Sequence, residues 1–281
     1  MNREYIFVSY SHQDVEWRDQ LRIFLKPFSW GRSYRNGRAN VPHGHPVKGP
    51  MRNAAIVIAV LAFAGGTLSA AFHETEHVNR TVNLDPGGTL RLKSFSGRVT
   101  ITASDRAEVV INAIRRADRD RLDRITLDVH KDGDTVFVDA NHRERSFWSN
   151  RGNNVVDTEF DITVPRRTNL DIDVFSAGVN VTGVAGSYKV HTFSSRVRLN
   201  DVTWRDRETI DVKTFSGDVE LQLPVGANGT VTFDSFSGRL NSDLPLTFHS
   251  PGRRSFRAEL GSGGAGRLRF NTFSGNVRIT R

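Results

Sequence analysis

The residues best suited to chemistry lie in four places. His73-Glu74-Thr75-Glu76-His77 spells H-E-x-x-H, which on a helix places two imidazoles one turn apart for zinc, with a glutamate as base. Here it directly follows an apolar segment and precedes Val82-Asn83-Leu84, which reads as a strand, so a solvated stalk is expected instead. His43 and His45 form H-G-H in a loop, with no third or fourth ligand beside them. Gly261-Ser262-Gly263-Gly264-Ala265-Gly266 is glycine-rich, yet it lacks the Lys-Ser/Thr of a phosphate loop and no helix pattern follows; it reads as a turn. Asp171, Asp173, Asp211 and Asp218 alternate with apolar residues, so they point outward from strands. A calcium site or a sugar-cleaving groove would need them clustered; dispersed, they form a soluble sheet face. No catalytic, cofactor-binding or metal-ligating residue is assigned, and no cofactor is expected.

Bulk composition narrows the classes further. The chain has 281 residues, 37% hydrophobic and 25% charged, as in globular proteins. It has no cysteine, which excludes disulfides, thiolate zinc sites and cysteine nucleophiles. The net charge of +8 is uneven. Residues 1–71 carry 9 basic and 4 acidic residues, whereas residues 72–281 carry 30 and 27. The larger part is nearly neutral with mixed signs, which describes a solvated surface and not a nucleic-acid patch.

Four segments follow from the pattern. Residues 54–72, AAIVIAVLAFAGGTLSAAF, hold no charge over 19 positions. This is enough for one hydrophobic helix across a membrane, or for the apolar part of a secretory signal starting at Met51 and ending at Ser69-Ala70-Ala71. Seven basic and no acidic residues between 20 and 53 would hold the preceding chain on the cytoplasmic side if the segment is an anchor. Residues 29–50 are rich in Gly, Pro, Arg and Asn, and read as a disordered linker. Residues 4–28 read as a short strand, Tyr5–Val8, then Ser9-Tyr10-Ser11, then a helix with Trp17, Leu21, Phe24 and Leu25 on one side. That stretch resembles the opening strand and helix of a TIR domain. The remaining strands and helices of such a domain have no counterpart before the apolar segment. No position takes the catalytic glutamate of the NAD-cleaving members, which lies beyond this opening. Residues 1–28 are therefore read as a truncated TIR-like fragment, a fusion remnant or an over-extended start upstream of Met51.

The fourth segment, residues 73–281, is governed by a repeated phrase. Phe95-Ser96-Gly97, Phe175-Ser176-Ala177-Gly178, Phe193-Ser194-Ser195, Phe215-Ser216-Gly217, Phe236-Ser237-Gly238 and Phe273-Ser274-Gly275 are six copies. Apolar residues alternate before each Phe, as in Ile210 and Val212, and alternate again after it, as in Val219 and Leu221. Period two on both sides means two half-buried strands. The phase differs across the phrase, so the chain turns a corner or bulge there, with Gly97, Gly178, Gly217, Gly238 and Gly275 expected to supply unusual backbone angles. The Phe rings are expected as a buried corner stack. From Phe175 the copies follow at 18, 22, 21 and 37 residues, and spacing near 20 suits the coils of a β-solenoid. The longest gap is expected to loop out. Residues 106–168 break the rhythm with a strand, a short helical segment, a hairpin at Asp132-Gly133 and a strand closed by Pro165.

The phrases "LRLKSFSGRVTI" and "DITVP", followed by serial F-S-G units, resemble the DUF4097 family of bacterial envelope proteins, which carries an adhesin label; the likeness covers about residues 80–281. It implies an all-β solenoid or β-helix-like stack, an extracytoplasmic place and no catalytic residues. The expected function is non-enzymatic, adhesin-like binding or structure in the cell envelope, toward a glycan, protein or lipid surface, with no nucleic-acid partner. A membrane-anchored TIR-linked sensor and a β-helical polysaccharide-active enzyme are the alternatives. Intact mass of the native protein separates the two readings of residues 54–72: a start near Ala71 in the soluble fraction follows from cleavage, and a start at Met1 in the membrane fraction follows from an anchor.

Overall fold

The computed structural model describes residues 74–142, 155–250, 252 and 254–281. The TIR-like fragment, the linker, the hydrophobic segment, the histidine pair and His73 all lie outside the described residues. The described chain is almost all strand. It opens with β1 (Glu74–Asn83), β2 (Thr89–Ser104) and β3 (Glu108–Ala117), then a short helix α1 (Arg119–Arg124). The hairpin β4 (Thr126–Asp132) and β5 (Thr135–His142) follows, then β6 (Asp157–Pro165) and β7 (Asn169–Thr182). The repeats continue as β8 (Tyr188–Thr192), β9 (Val197–Asn200), β10 (Thr209–Thr214), β11 (Val219–Gln222), β12 (Gly229–Ser235) and β13 (Leu240–Ser242). The chain ends with β14 (Leu246–Ser250), β15 (Ser255–Leu260), β16 (Arg267–Thr272) and β17 (Val277–Thr280).

Each F-S-G phrase divides a coil into two strands, and like strands pair in parallel and in register with those of the next coil. Before the corner the order is β4-β5-β2-β7-β8-β10-β16-β12-β15-β14. After the corner it is β1-β3-β6-β2-β7-β9-β11-β17-β13. The long strands β2 and β7 run through both arms. Inward side chains from the two arms meet in one core, in which Leu92, Ile172, Val190, Val212, Phe270 and Phe233 stack coil upon coil, all at or below 1% exposure. Each such side chain withdrawn from water stabilises by about 1.5–3 kcal/mol. No single coil could bury its own inner face, so stacking is what makes the unit stable.

Three features depart from the expected solenoid. First, residues 106–168 break the sequence rhythm but not the stack: β5 and β6 each pair in parallel with β2. Second, the 37-residue gap is no loop. It is the hairpin β14–β15, whose second strand lies antiparallel on β12. Third, the last coil in sequence is not last in space. The strands β16 and β17 lie between the coil of β10 and β11 and the coil of β12 and β13. This insertion pairs the C-terminal strands on both edges.

The corner glycines do a different job from the one expected. Gly217, Gly238 and Gly275 have no positive φ. Their constraint is space, because neighbouring coils bring backbone against backbone. A Cβ on Gly217 would lie 1.7 Å from the Ser195 carbonyl oxygen, one on Gly275 2.0 Å from that of Gly217, and one on Gly238 2.1 Å from that of Gly275. Gly97 has both constraints, with φ +111° and the Thr158 carbonyl oxygen 2.1 Å from a built Cβ. Gly178 has neither, since a Cβ there meets nothing within 4 Å. Ala177 is the residue in register with Gly97, so the corner of that coil lies one residue earlier than Gly178.

Gly217→Ala is therefore expected to cost at least about 2 kcal/mol, because a backbone carbonyl must move. Gly178→Ala is expected to stay within about 0.5 kcal/mol of the parent. Chemical denaturation of the two variants checks the contrast, and equal losses would contradict it.

Candidate functional site

The six corners line up along the stack. Five of them bury a small hydroxyl residue before Phe, Ser94, Thr192, Thr214, Ser235 and Thr272, all at most 6% exposed, and the sixth buries Val174 in that place. In three coils this hydroxyl closes the turn. Thr214 Oγ1 accepts from the Gly217 amide at 2.7 Å, Ser235 Oγ accepts from the Gly238 amide at 2.6 Å, and Thr272 Oγ1 donates to the Gly275 carbonyl at 2.8 Å. A hydroxyl three residues back is a local substitute for a backbone partner, which is why Ser and Thr occupy this position. The serine after Phe then donates its amide to the neighbouring coil. Ser194 bonds Phe175 O at 3.1 Å, while Ser216 bonds Phe193 O, Ser274 bonds Phe215 O and Ser237 bonds Phe273 O, each at 2.9 Å.

Those backbone bonds set the distance between the rings. The order in space is Phe95, Phe175, Phe193, Phe215, Phe273, Phe236, with successive centroids 4.6–4.8 Å apart. The planes are nearly parallel, at 2–16°. The spacing is that of adjacent strands, about 4.8 Å, and lies within the range for favourable stacked pairs. The rings are not the buried corner stack expected from composition: all six are half-buried on the outer side. The phase change at the corner turns both Phe and Ser outward, and the buried places go to the small residues on either side. Phe faces are largely spent on one another, with Arg254 over Phe236 at 5.4 Å. What meets solvent is a line of ring edges beside an exposed serine row.

The four aspartates are dispersed. On the pre-corner arm, Arg91, Asp171, Lys189, Asp211 and Arg269 lie in register on successive strands, so charge alternates along the row. Arg91 Nε is 2.8 Å from Asp171, and Lys189 Nζ is 3.9 Å from it. In the next row Asp173 meets His191 Nδ1 at 3.2 Å. Burial works to raise the Asp173 carboxyl. The His191 hydrogen bond and charge, with Lys189 and Lys93, outweigh it and hold the carboxyl below its ordinary range. Asp218 lies beyond the corner and accepts from the amide of Asn276 at 2.9 Å. Two carboxylates sharing one substrate pocket would need no cation between them, whereas Lys189 stands between Asp171 and Asp211.

The remaining motifs are also absorbed by structure. Residues 74–77 run as strand, not helix, with Glu74 held by Arg119 at 3.0 Å and Glu76 by the buried Arg115. The glycine-rich segment is a turn into β16, tied down by Asn228 Oδ1, which accepts from the Ser262 amide at 2.8 Å. Burial pushes the Tyr188 hydroxyl well above its ordinary value while it donates to Val184 O. Among the described residues no group of three or more His, Asp or Glu is arranged to hold a metal, and no helix is long and apolar enough to cross a membrane.

Phe215 stacks on Phe193 and Phe273, and each contact of this kind is worth about 0.5–1.5 kcal/mol beyond area. Phe215→Ala is expected to cost about 1–3 kcal/mol in a denaturant melt, below the 3–5 kcal/mol typical of a fully buried ring. No loss would mean that the stack adds nothing to stability.

Comparison with known proteins agrees with this architecture. No curated protein matches the sequence. A solved structure of a Clostridium sporogenes protein named for cell adhesion superposes with TM-score 0.52 at 11% identity, over 73% of this chain and 99% of that one. A Bacteroides fragilis protein named as an adhesin aligns at TM-score 0.25 and 8% identity, over 73% of this chain and 97% of that one. The first likeness is one of fold. Residues 158–280 match the family model described as Toastrack DUF4097, a span that holds five of the six F-S-G corners.

Proposed function

We propose that the protein is a non-enzymatic, envelope-exposed scaffold with an adhesin-like binding or structural role. The observation that carries this reading is the continuous in-register stack, which presents long outward rows of side chains on rigid strands. A surface fixed in this way loses little freedom on contact, so many weak interactions add up. The pairing of Asp171, Asp173 and Asp218 with neighbouring groups supports a surface over a reaction centre. The match of residues 158–280 to that family model, and the fold shared with a protein named for cell adhesion, support the same reading. An extracytoplasmic position follows from the same reading, with residues 54–72 as the exporting or anchoring segment.

Two measurements on the full chain test the proposal. Protease added to intact producing cells is expected to remove the repeat region, and labelled purified protein is expected to sediment saturably with isolated cell envelopes. Protection of the repeat region until the cells are lysed would contradict the location. Absence of co-sedimentation would contradict the binding role.

A further inference from the structure

Part of the post-corner arm differs in kind from the pre-corner arm. The pre-corner arm carries the alternating row Arg91, Asp171, Lys189, Asp211 and Arg269. On the post-corner arm, β1, β3, β6, β2 and β7 align Asn79, Asn112, Asp161, Thr100 and Asn180 in one row. The next row, continuing onto β9, aligns Thr81, Val110, Thr163, Thr102, Thr182 and Asn200. Within this block one residue is charged and one is apolar. The rest are hydroxyls and amides, in a chain where a quarter of all residues are charged.

Few of these polar groups are used internally. Asn200 Nδ2 donates to Asn180 Oδ1 at 2.9 Å. Among the described residues the side chains of Asn112, Thr100, Thr102, Thr163 and Thr182 make no hydrogen bond. They stand on a lattice: about 4.8 Å between strands and about 6.7 Å between the two rows. Every Thr and Asn offers both donor and acceptor. The threonines are β-branched and stiff at χ1, so fixing them against a ligand costs little entropy.

The chemistry of the block selects among partners. Nucleic acid and anionic lipid are held by clustered Lys and Arg; the two rows contain neither, Asp161 opposes both partners, and of the bordering cations Arg98 and Arg116 stand beside Glu159 while Arg198 bonds Glu220. Protein interface cores are built on aromatic, Met and Arg anchors, and only Val110 offers an apolar contact here. A partner that is uncharged, carries donors and acceptors together and repeats along its length fits all of these features. We propose that these two rows, from Asn79 and Thr81 on β1 to Asn180 and Thr182 on β7, bind an uncharged polysaccharide. This names a ligand class for the binding role argued above and rests on it.

Affinity electrophoresis of the full chain through gels containing hydroxyethylcellulose, dextran or, as an anionic control, dextran sulfate tests the assignment. At least one neutral polymer is expected to retard the protein, with little change when salt is raised. The variant Thr102→Glu is expected to lose at least tenfold in apparent affinity at an unchanged melting midpoint. Thr102→Ser, Thr182→Ser should retain binding, and Lys213→Gln on the other arm should bind like the parent. Retardation by neither neutral polymer, or equal retardation of the glutamate variant, overturns the assignment. If the protein then still sediments with envelopes, the binding role stands and only this ligand class falls; if sedimentation is absent too, the binding role falls with it.

Discussion

The backbone spacing between parallel coils is the constraint on which everything else rests. Strands pair at about 4.8 Å, and four corners hold the same spacing because Ser194, Ser216, Ser274 and Ser237 each donate an amide to the Phe carbonyl of the neighbouring coil. Whatever one coil carries at a given position, the next must carry close above it. Phenylalanine stacks on phenylalanine at 4.6–4.8 Å. Charges must alternate down a row, because like charges at this distance repel, and Arg91, Asp171, Lys189, Asp211 and Arg269 do so. At the tightest point of the corner there is no room for a side chain, and Gly217 and Gly275 stand there, with the Ser195 backbone pressed against Gly217.

A stack of coils exposes strand edges at its ends, where unpaired backbone invites aggregation. The pre-corner arm ends on one side in β14, a short strand with a register shift between Phe248 and Ser250 and prolines flanking it in sequence. At the opposite end of the post-corner arm lies β1, which carries Glu74, Glu76 and Arg80 on the same side as Val78 and Val82. Both are common ways of blunting an edge. The placement of β16 and β17 inside the stack serves the same end, since the C-terminal strands are paired on both sides. The post-corner arm closes instead with β13, only three residues long.

The outer surface divides along the line of rings. The pre-corner arm satisfies its charges within itself, while two rows of the post-corner arm direct uncharged donors and acceptors at solvent, bordered by ion pairs such as Arg198–Glu220. A row of ion pairs is self-sufficient, and a row of unbonded threonines is open to a ligand. The phenylalanine edges between them are held too closely by their neighbours to act as a flat platform, so their first role is to clamp coil to coil.

The strands, their inward residues and the corners were all legible in the sequence, because period-two alternation and F-S-G at near-constant spacing are local signals. Ile210, Val212, Val219 and Leu221 are buried where alternation puts them. The parity change across Thr214–Gly217 announced a corner without saying which side chains it would turn outward. Burial of Thr214 and only half-burial of Phe215 depend on how the neighbouring coil packs against the turn, so composition pointed to the wrong residue. The glycines were visible, but their reason was not: crowding at Gly217 comes from Ser195, on another coil. Ala177 shows the same limit, since only strand register places it, and not Gly178, opposite Gly97. The order of coils was least accessible. Each coil is nearly equivalent in sequence, and only the fit of the β14–β15 hairpin on β12 and of the last coil beside β10 decides that β16 and β17 lie inside the stack. The uncharged face has the same origin, because Asn112, Asp161, Thr100 and Asn180 are scattered in sequence and become one row only when four strands align.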